Sequence, residues 1–338
     1  MSNVRAIGLV VCAMLFFSVQ DVIVKATADQ VSLWQMQVIR SFAILAIMSA
    51  LLGLMKRGGE LTPASSWFWP TIRALFMATA YLLFYAALPY VSLAKAASAF
   101  FISPMLITVL AAMFLGEGIG PRRIIAVIVG FAGVLCIVRP GLEGWSPAAL
   151  LPVGAAAAYA LAVILTRWRC QRDPGFSLTM VNALVNGAVG VAGVALIPLL
   201  PLGEALKADH GFLLEGWLTA GPALMALVAL TAVTHIAGAV ASVKAYQIGE
   251  ASRLAPFEYI YLVFMGIFGY LIWHDVPDGS TLLGMALICS AGGFIAWREG
   301  RPPRPRVQQS AEIPWTPEHL DESPSMPPDH EGAPSRNW

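Results

Sequence analysis

The sequence predicts an all-α membrane protein in which ten transmembrane helices form two inverted five-helix repeats. Three observations lead to this fold class. The 338 residues are 58% hydrophobic and only 12% charged, with a mean hydropathy of +0.71, whereas about a quarter of the residues of a soluble domain are charged. The charged residues separate ten apolar runs, and the second half of the chain repeats the charge pattern of the first. A soluble core of this length could not bury so much apolar surface.

Ten stretches without Asp, Glu, Lys or Arg mark the candidate spans. A helix needs about 20 residues to cross the hydrocarbon of a bilayer, and the shorter runs reach that length once a flanking charge is included. Strands of a membrane barrel alternate apolar and polar residues, whereas these runs are continuous, so we expect helices. The runs cover residues 6–20, 41–55, 74–94, 96–116, 124–138, 144–166, 174–203, 216–243, 259–274 and 279–297.

The first run also resembles a signal peptide, because Arg5 precedes it and residues 26–28 read Ala-Thr-Ala, a sequence that would suit cleavage. Asp21 and Lys25 would lie just before that cut, and nine further runs follow. We therefore interpret the first run as a retained transmembrane helix.

Composition and motifs exclude several classes of protein. The formal net charge of +1 argues against a nucleic-acid partner. The four cysteines lie far apart and match neither a disulfide framework nor a metal motif. The sequence contains no GxxxxGK[ST] phosphate loop, no HExxH motif and no nucleophile–base set. We therefore predict no enzymatic activity, no metal and no cofactor.

The distribution of Lys and Arg predicts the orientation of the chain. With the N-terminus inside, fifteen of these residues lie at cytoplasmic ends of the spans and four at outer ends, as the positive-inside rule requires. Both termini are therefore predicted to be cytoplasmic, and the expected location is a bacterial inner membrane.

The two halves of the chain match each other. A shift of 158 residues places Lys95 on Arg253 and Glu117 on Asp275. Because each unit holds five helices, an odd number, the second unit must enter the membrane in the opposite orientation. An inverted repeat is typical of secondary transporters, whose site lies between the halves near the middle of the membrane. A duplicated scaffold or sensor would show the same repeat, so that alternative stays open.

This repeat gives the predicted domain boundaries. The first five-helix unit covers residues 1–143 and the second covers residues 144–300. Residues 301–338 contain nine of the 23 prolines and have no apolar periodicity, so we expect a disordered cytoplasmic tail.

Several short motifs carry a family resemblance. The fourth run contains Ser103-Pro104 and closes with Phe-Leu-Gly-Glu at residues 114–117, and the fifth contains Gly130-x-x-Gly133. In these features residues 6–299 resemble a ten-helix member of the drug/metabolite transporter superfamily built from two EamA-type repeats. In the second half, Trp273-His274-Asp275 stands where Gly-Glu is usual in such repeats.

Three further motifs narrow the resemblance. They are Asp21-x-x-x-Lys25, Gln37-x-x-Arg40-Ser41 and the Ala-Pro-Phe-Glu-Tyr sequence at residues 255–259. They are similar to motifs of a branch that includes S-adenosylmethionine uptake carriers and bacterial riboflavin carriers. The resemblance implies transport of a solute that is S-adenosylmethionine-like, riboflavin-like or amino-acid-like.

Charged residues inside the spans are the first candidates for a binding site. An unpaired charge inside a membrane is costly, so an ionisable residue in a span is a functional candidate by default. Asp21 and Lys25 share one helix face, in the favourable order with the acid first. Arg40 lies early in the second helix, which runs back beside the first. We expect these three residues to form a cluster near the outer surface, with Asp21 and Arg40 as the direct pair. A purely structural ion cluster is the alternative.

A fourth charged residue, Glu258, lies at the expected cytoplasmic start of the ninth helix. It is a candidate ligand for a substrate or a proton. The alternative is a carboxylate stabilised by the positive end of its own helix.

Aromatic residues are the second group of candidates. Tyr81 and Tyr85 share a face of the third helix, and Phe100 and Tyr259 lie in other helices that could line the path. Aromatic walls suit a planar or amphipathic solute, although each ring could instead be a packing residue. His235, with Thr231 and Thr234 nearby, is expected to form a hydrogen bond between helices.

Together these observations predict secondary transport of a small polar or amphipathic metabolite by alternating access. The expected partners are the lipid bilayer and the small-molecule substrate, with a homodimer as an open alternative. Metabolite or drug efflux and a scaffold or sensor that transports nothing are the competing interpretations.

Overall fold

The computed structural model describes residues 2–56, 62–64, 66–116, 121–139, 146–201, 203–248 and 257–299. The tail at 301–338 and the boundary expected at residues 143 and 144 lie outside the described residues. So do residues 255 and 256 of the Ala-Pro-Phe-Glu-Tyr motif.

The described residues are helical, and no strand occurs among them. Two short 3₁₀ turns, at Pro147–Leu150 and Ile197–Leu199, precede α7 and follow α8. The helices are α1 (Ser2–Thr27), α2 (Leu33–Leu54), α3 (Phe68–Ala87), α4 (Leu93–Phe100), α5 (Ser103–Leu115), α6 (Pro121–Val138), α7 (Leu151–Arg169), α8 (Gly175–Leu196), α9 (Glu204–Asp209), α10 (Gly211–Leu214), α11 (Pro222–Ile248), α12 (Ile260–Trp273) and α13 (Gly279–Glu299).

Within these ranges, seven helical segments are long and apolar enough to cross a membrane: Val4–Thr27, Leu33–Leu54, Phe68–Ala87, Leu93–Leu115, Pro147–Arg169, Gly175–Leu199 and Pro222–Ser242. Three shorter apolar helices, Ile124–Val138, Ile260–Trp273 and Gly279–Ala291, coincide with the fifth, ninth and tenth predicted runs. Many large apolar side chains are exposed on the outside, as expected for a surface that faces lipid.

Local sequence fixes where several helices begin and end. The hydroxyl of Ser32 accepts the N–H of Gln35 at 3.1 Å and so caps the start of α2. Helix α5 ends at Gly116, whose φ of +67° lies in the left-handed region that glycine adopts without strain.

The predicted fourth span is not one continuous helix. It is divided into α4 and α5 by a turn at residues 101 and 102, immediately before the Ser103-Pro104 pair. Proline has no N–H to donate to the preceding turn, so it is tolerated at the start of α5 but not inside a continuous helix. The bend lies where α4 packs on α12 and α5 packs on α7.

Four helix pairs form the most extensive contacts of the fold: α1 with α11, α2 with α8, α3 with α7, and α6 with α13. Each pair joins one helix from the first predicted repeat to one from the second. The central helices of the two halves therefore interleave, and the groups that line their interfaces come from both halves.

Glycine allows the closest of these approaches. On α8, a Cβ on Gly190 would lie 3.0 Å from the carbonyl oxygen of Trp34, and one on Gly193 would collide with the Trp34 indole. A similar approach joins α6 to α13, where a Cβ on Gly133 would lie 2.9 Å from the carbonyl oxygen of Gly284. By contrast, nothing lies within 4 Å of a Cβ placed on Gly266.

Candidate functional site

A network of buried polar side chains lies where α1, α2, α3, α8, α11 and α12 meet. Its centre is the hydroxyl of Tyr85 on α3. This oxygen accepts a hydrogen bond from Nε2 of Gln20 at 2.7 Å and another from Nη1 of Arg40 at 2.8 Å. All three side chains are buried, so water cannot satisfy their polar groups. These hydrogen bonds within the protein satisfy them instead.

Asp21 is the acidic member of the network. Its carboxylate accepts hydrogen bonds from the hydroxyl of Tyr261 on α12 and, at 3.3 Å, from Nε2 of Gln20. The carboxylate is therefore held by neutral donors from its own helix and from α12.

Arg40 is the basic member, and it is 3% exposed. Besides Tyr85, its guanidinium donates to Oε1 of Gln37. The guanidinium carbon lies 4.9 Å from the centre of the Tyr81 ring and 5.1 Å from that of Tyr85. These two rings are stacked with their centroids 6.0 Å apart. The positive charge is thus stabilised largely by two aromatic faces.

The network continues across α8 and α11. Nε2 of Gln37 donates to Oδ1 of Asn186 at 3.0 Å, which joins α2 to α8. Nδ1 of His235 lies 3.1 Å from Oε1 of Gln20, which joins α11 to α1. The hydrogen bond between helices expected for His235 is therefore present.

The network also fixes the tautomer of His235. A carboxylate accepts but cannot donate, so the amide nitrogen of Gln20 faces Asp21 and the amide oxygen faces His235. Nδ1 of the neutral ring must then carry the proton, and Nε2 is its hydrogen-bond acceptor.

A narrow cleft lies beside this network, with room for little more than a water molecule. It must therefore widen to hold a metabolite. Its walls combine one guanidinium, two amides, an imidazole and an aromatic ring. The residues that line it are Arg40, Ser41, Ile44, Tyr81, Thr179, Asn182, Ala183, Asn186 and His235.

The structure corrects the expected pairing of Asp21 with Arg40. Both residues belong to the network, but they do not form a direct ion pair within the described chain. Instead, Tyr85 and Gln20 lie between them and hydrogen-bond to both sides. The sequence identifies two buried opposite charges on adjacent helices, but it does not show that polar side chains from their own helices and from α3 separate them.

Lys25 is not part of this network, which corrects the expected three-residue cluster. Its ammonium donates to the carbonyl of Val91 at 2.8 Å, lies 3.8 Å from the Asp275 carboxylate and stands over the Trp273 ring at 5.2 Å. Lys25 lies one turn after Asp21, near the end of α1, and is therefore too far along the helix to reach the network. Lys25 thus joins the end of α1 to the end of α12.

A second ionic contact lies at the same end of the fold, at the start of α13. The carboxylate of Asp278 lies 3.4 Å from Arg139 and 3.8 Å from Lys95, and it accepts the N–H of Thr281 at 2.8 Å. Hydrogen bonds from Thr281, followed by one from Ser280 and the charge of Lys95, lower the pKa of Asp278 to about 2.

The remaining predicted residues lie in or beside an aromatic cluster. The Phe100 ring contacts Phe84 and Tyr159, with centroid separations of 5.4 and 5.5 Å. Tyr259 packs on Phe101 at 5.3 Å. Phe84 in turn packs against Tyr85, so the cluster adjoins the polar network. Glu258 lies immediately before α12 and is half-buried.

Sequence reasoning missed several members of the network. Gln20 and Gln37 bond directly to the charged residues, yet neither of them was a site candidate. The available signal was the presence of glutamine inside an otherwise apolar run, where an amide needs a buried partner. Within the described chain no group of three His, Cys, Asp or Glu side chains could hold a metal ion.

Comparison with known proteins identifies the family. The sequence model of the EamA-like transporter family matches residues 4–139 and matches again at residues 146–297. The chain belongs to the EamA-like transporter family. The two matches fall on the two halves of the chain, and together they contain all the residues of the network.

Relatives in this family carry different names. The chain is 29% identical over 202 residues to an S-adenosylmethionine uptake transporter of Rickettsia bellii, an alignment that covers 58% of this chain and 61% of that protein. It is 32% identical over 204 residues to a riboflavin transporter of Rhizobium johnstonii, covering 59% and 60%. The chain thus spans about three fifths of these two relatives.

Longer matches are more distant in sequence. A pseudopaline exporter of Pseudomonas aeruginosa is 26% identical over 285 residues, which is 84% of this chain and 93% of the exporter. A solved crystal structure shares the fold with a TM-score of 0.51 and 18% identity, covering 86% of this chain and 98% of that one.

Proposed function

We propose that this EamA-family protein is a secondary transporter that moves a small polar or amphipathic metabolite across the bacterial inner membrane by alternating access. The observation that carries the proposal is the buried polar network beside a cleft. Polar and charged side chains inside membrane helices are costly and commonly mark a substrate path. Here Asp21, Arg40, Tyr81 and Tyr85 are the proposed substrate-side residues, together with Asn182 and His235.

The proposed architecture is ten spans in two inverted repeats, residues 1–143 and 144–300. The helix contacts support it, because they are reciprocal. The first helix of one half packs on the third helix of the other in both directions, as α1 with α11 and as α7 with α3. The second helices pack on each other, as do the fifth. A two-fold relation between the halves accounts for this reciprocity.

The position of the cleft supports a conformation of the transporter that is closed toward the outer side of the membrane. From Arg40 the lining continues to Ile44 along α2 and to Thr179 along α8, toward the end that we propose to be cytoplasmic. At the other end, Trp34 donates to the carbonyl of Leu213 at 2.8 Å, and Lys25 holds α1 to α12. We propose that these contacts break when the site opens outward, and that Phe100, Glu258 and Tyr259 belong to the opposite, inner part of the path.

The names of the relatives suggest which solutes to assay. S-adenosylmethionine and riboflavin come first, followed by free amino acids. Export is a second candidate function, because the relative named as an exporter matches the chain over the greatest length of the three relatives described.

Uptake into proteoliposomes tests the proposal. The purified protein is reconstituted, and the accumulation of each radiolabelled solute is measured without ATP, in both directions of the solute gradient. We expect saturable movement of at least one of these solutes at a rate well above that of empty liposomes. Because a scaffold or sensor moves nothing, rates equal to those of empty liposomes for every solute in both directions would contradict the proposal.

A further inference from the structure

The cleft wall contains a side-chain oxygen that accepts no hydrogen bond from the described residues. Oδ1 of Asn182 is buried and has no hydrogen-bond partner in the part of the chain that the structure describes. One turn further along α8, Asn186 is satisfied: its Oδ1 accepts from Gln37 and its Nδ2 donates to the carbonyl of Asn182. A buried acceptor without a partner costs stability, so its position in the cleft wall points to a ligand that donates to it.

His235 supplies a second acceptor in the same cleft. Since Gln20 fixes the proton on Nδ1, Nε2 of the neutral ring accepts hydrogen bonds and does not donate them. Its ring packs edge-on against Tyr81, with centroids 6.4 Å apart. Asn182 and His235 therefore both suit a donor group on the ligand.

Arg40 supplies the complementary donor. Of its five N–H groups, two are used in the bonds to Tyr85 and Gln37. No carboxylate of the described residues lies within ion-pair distance of the guanidinium. Arg40 nevertheless lines the cleft, and the fork of its N–H groups matches a carboxylate better than a neutral carbonyl.

The charges of the network restrict the ligand further. Arg40 and Asp21 together are neutral, so a ligand group with a net charge would leave an uncompensated charge in the membrane interior. A group that carries one negative and one positive charge side by side avoids this cost. An α-amino-acid head group has this composition, with a carboxylate beside an ammonium.

We propose that the cleft binds the α-amino-acid head group of the transported solute, with the carboxylate on Arg40 and the ammonium on Asn182 and His235. The proposal rests on the proposed transport function and selects among its solutes. It favours free amino acids and S-adenosylmethionine, whose sulfonium charge lies outside the head group, over riboflavin, which has neither an ammonium nor a carboxylate.

Binding to the purified full chain tests this assignment. The dissociation constants of S-adenosylmethionine, its decarboxylated analogue, its deaminated analogue and riboflavin are measured by equilibrium dialysis. We expect the loss of either charged group to weaken binding by about ten- to a hundred-fold, the range for one charge-assisted hydrogen bond. Riboflavin should bind more weakly than S-adenosylmethionine.

A variant separates binding from folding. Asn182→Leu removes an acceptor that has no partner among the described residues, together with the hydrogen bond between the Asn182 amide and Tyr81, so the unfolding temperature should fall less than in Asn186→Leu. Its affinity for S-adenosylmethionine should fall about tenfold, while its affinity for the deaminated analogue should not change. Asn186→Leu is the matched control on the same helix face. It leaves Gln37 without an acceptor, so it should lower the unfolding temperature.

The outcomes distinguish this inference from the proposed function. If S-adenosylmethionine binds but both analogues bind equally well, or if riboflavin binds more tightly, the head-group assignment is wrong while transport stands. An Asn182→Leu variant that binds both the parent compound and the deaminated analogue as the wild type does would also overturn it. If no solute is moved in liposomes, the transport function itself fails.

Discussion

Tyr85 connects the two charged residues that the membrane interior would otherwise penalise. Its hydroxyl oxygen accepts from Arg40 and from Gln20, and Gln20 in turn donates to Asp21. The side chain is 1% exposed, so no solvent replaces a lost bond. At this single oxygen, α1, α2 and α3 are held in register.

Removal of that oxygen should therefore be costly. Tyr85→Phe leaves buried N–H groups of Arg40 and Gln20 without their acceptor, and we expect it to reduce the stability of the folded protein by about 1–3 kcal/mol. Denaturant unfolding in detergent, followed by circular dichroism, measures the change. Tyr270→Phe is the control, because Tyr270 is 55% exposed and should tolerate the change within about 0.5 kcal/mol. Equal stabilities of the two variants would contradict the role given to Tyr85.

The charged residues of the site could be predicted from the sequence only in part. Asp21 and Arg40 were identifiable because a charge inside an apolar run is conspicuous. Their separation by Tyr85 and Gln20 was not predictable, because it depends on how α3 is rotated against α1 and α2. Lys25 was wrongly predicted to join the same cluster. It shares a helix face with Asp21, but it lies nearer the helix end and contacts Asp275 there.

At the scale of elements, close packing of α2 on α8 determines how the walls of the cleft are spaced. Gly193 faces the Trp34 indole so closely that no β-carbon fits. The same two helices carry Arg40, Asn182 and Asn186 into the cleft. A change in the helix separation would therefore alter the cleft as well as the stability.

Substitution of Gly193 by alanine tests this packing. Because the new methyl group would collide with the indole, we expect Gly193→Ala to destabilise the protein by about 1–3 kcal/mol, although alanine is the better helix former. The matched control is Gly266→Ala on α12, where the space is open; this variant should be unchanged or slightly more stable. Thermal unfolding in detergent reports both. A Gly193→Ala variant as stable as Gly266→Ala would show that α2 and α8 are not so close.

Asp278 provides a second test at this scale. Its carboxylate caps α13 and faces Lys95 and Arg139. Because the pKa of Asp278 is lowered to about 2, the folded form favours the carboxylate. The resulting stabilisation is present above about pH 4, where the unfolded chain is also ionised, and it is lost as the pH falls toward 2.

The comparison variant for this test is Asp278→Asn, which keeps an oxygen for the cap but has no charge to titrate. The wild type should have the higher unfolding temperature at pH 6, and the difference should shrink between pH 4 and pH 2. Asp278→Ala also removes the cap and should cost about 1 kcal/mol more than the asparagine variant. A difference between wild type and Asp278→Asn that does not change with pH would contradict the assignment.

Charge-free runs predicted the helical elements because the membrane imposes a minimum apolar length on each span. The break between α4 and α5 follows from the proline of the Ser103-Pro104 pair in the sequence. The short α9 and α10 were not predicted, because they depend on tertiary contacts, such as the bond from Trp34 to Leu213, that leave no periodic signal. Helices pack closely at Gly133, Gly190 and Gly193, whereas the space at Gly266 is open, although all four glycines belong to Gly-x-x-Gly pairs in the sequence.

For the whole molecule, the proposed inverted repeat makes a prediction about orientation. Both Gln171, between α7 and α8, and Asp209, at the end of α9, are exposed. They lie at opposite ends of α8, so they should face opposite sides of the membrane. In a chain whose four native cysteines are replaced by serine, an impermeant thiol reagent applied to intact cells should label Asp209→Cys but not Gln171→Cys. The reverse pattern would contradict the orientation derived from the distribution of Lys and Arg.

At this largest scale, the odd number of helices in each predicted repeat leads to the proposal of opposed halves, and the reciprocal helix contacts support that proposal. The identity of the solute could not be predicted in this way, because it depends on how side chains from four different helices converge on one cleft.

Solute counterflow tests the central claim most directly. Proteoliposomes are loaded with unlabelled S-adenosylmethionine and diluted into buffer that contains a trace of the labelled compound, without ATP. We predict a transient accumulation of label above its equilibrium level, since a site that alternates between the two sides exchanges one molecule for another. Arg40→Lys, which keeps the charge but loses the planar fork, should reduce the accumulation at least tenfold. No accumulation by the wild type, or equal accumulation by Arg40→Lys, would contradict the account.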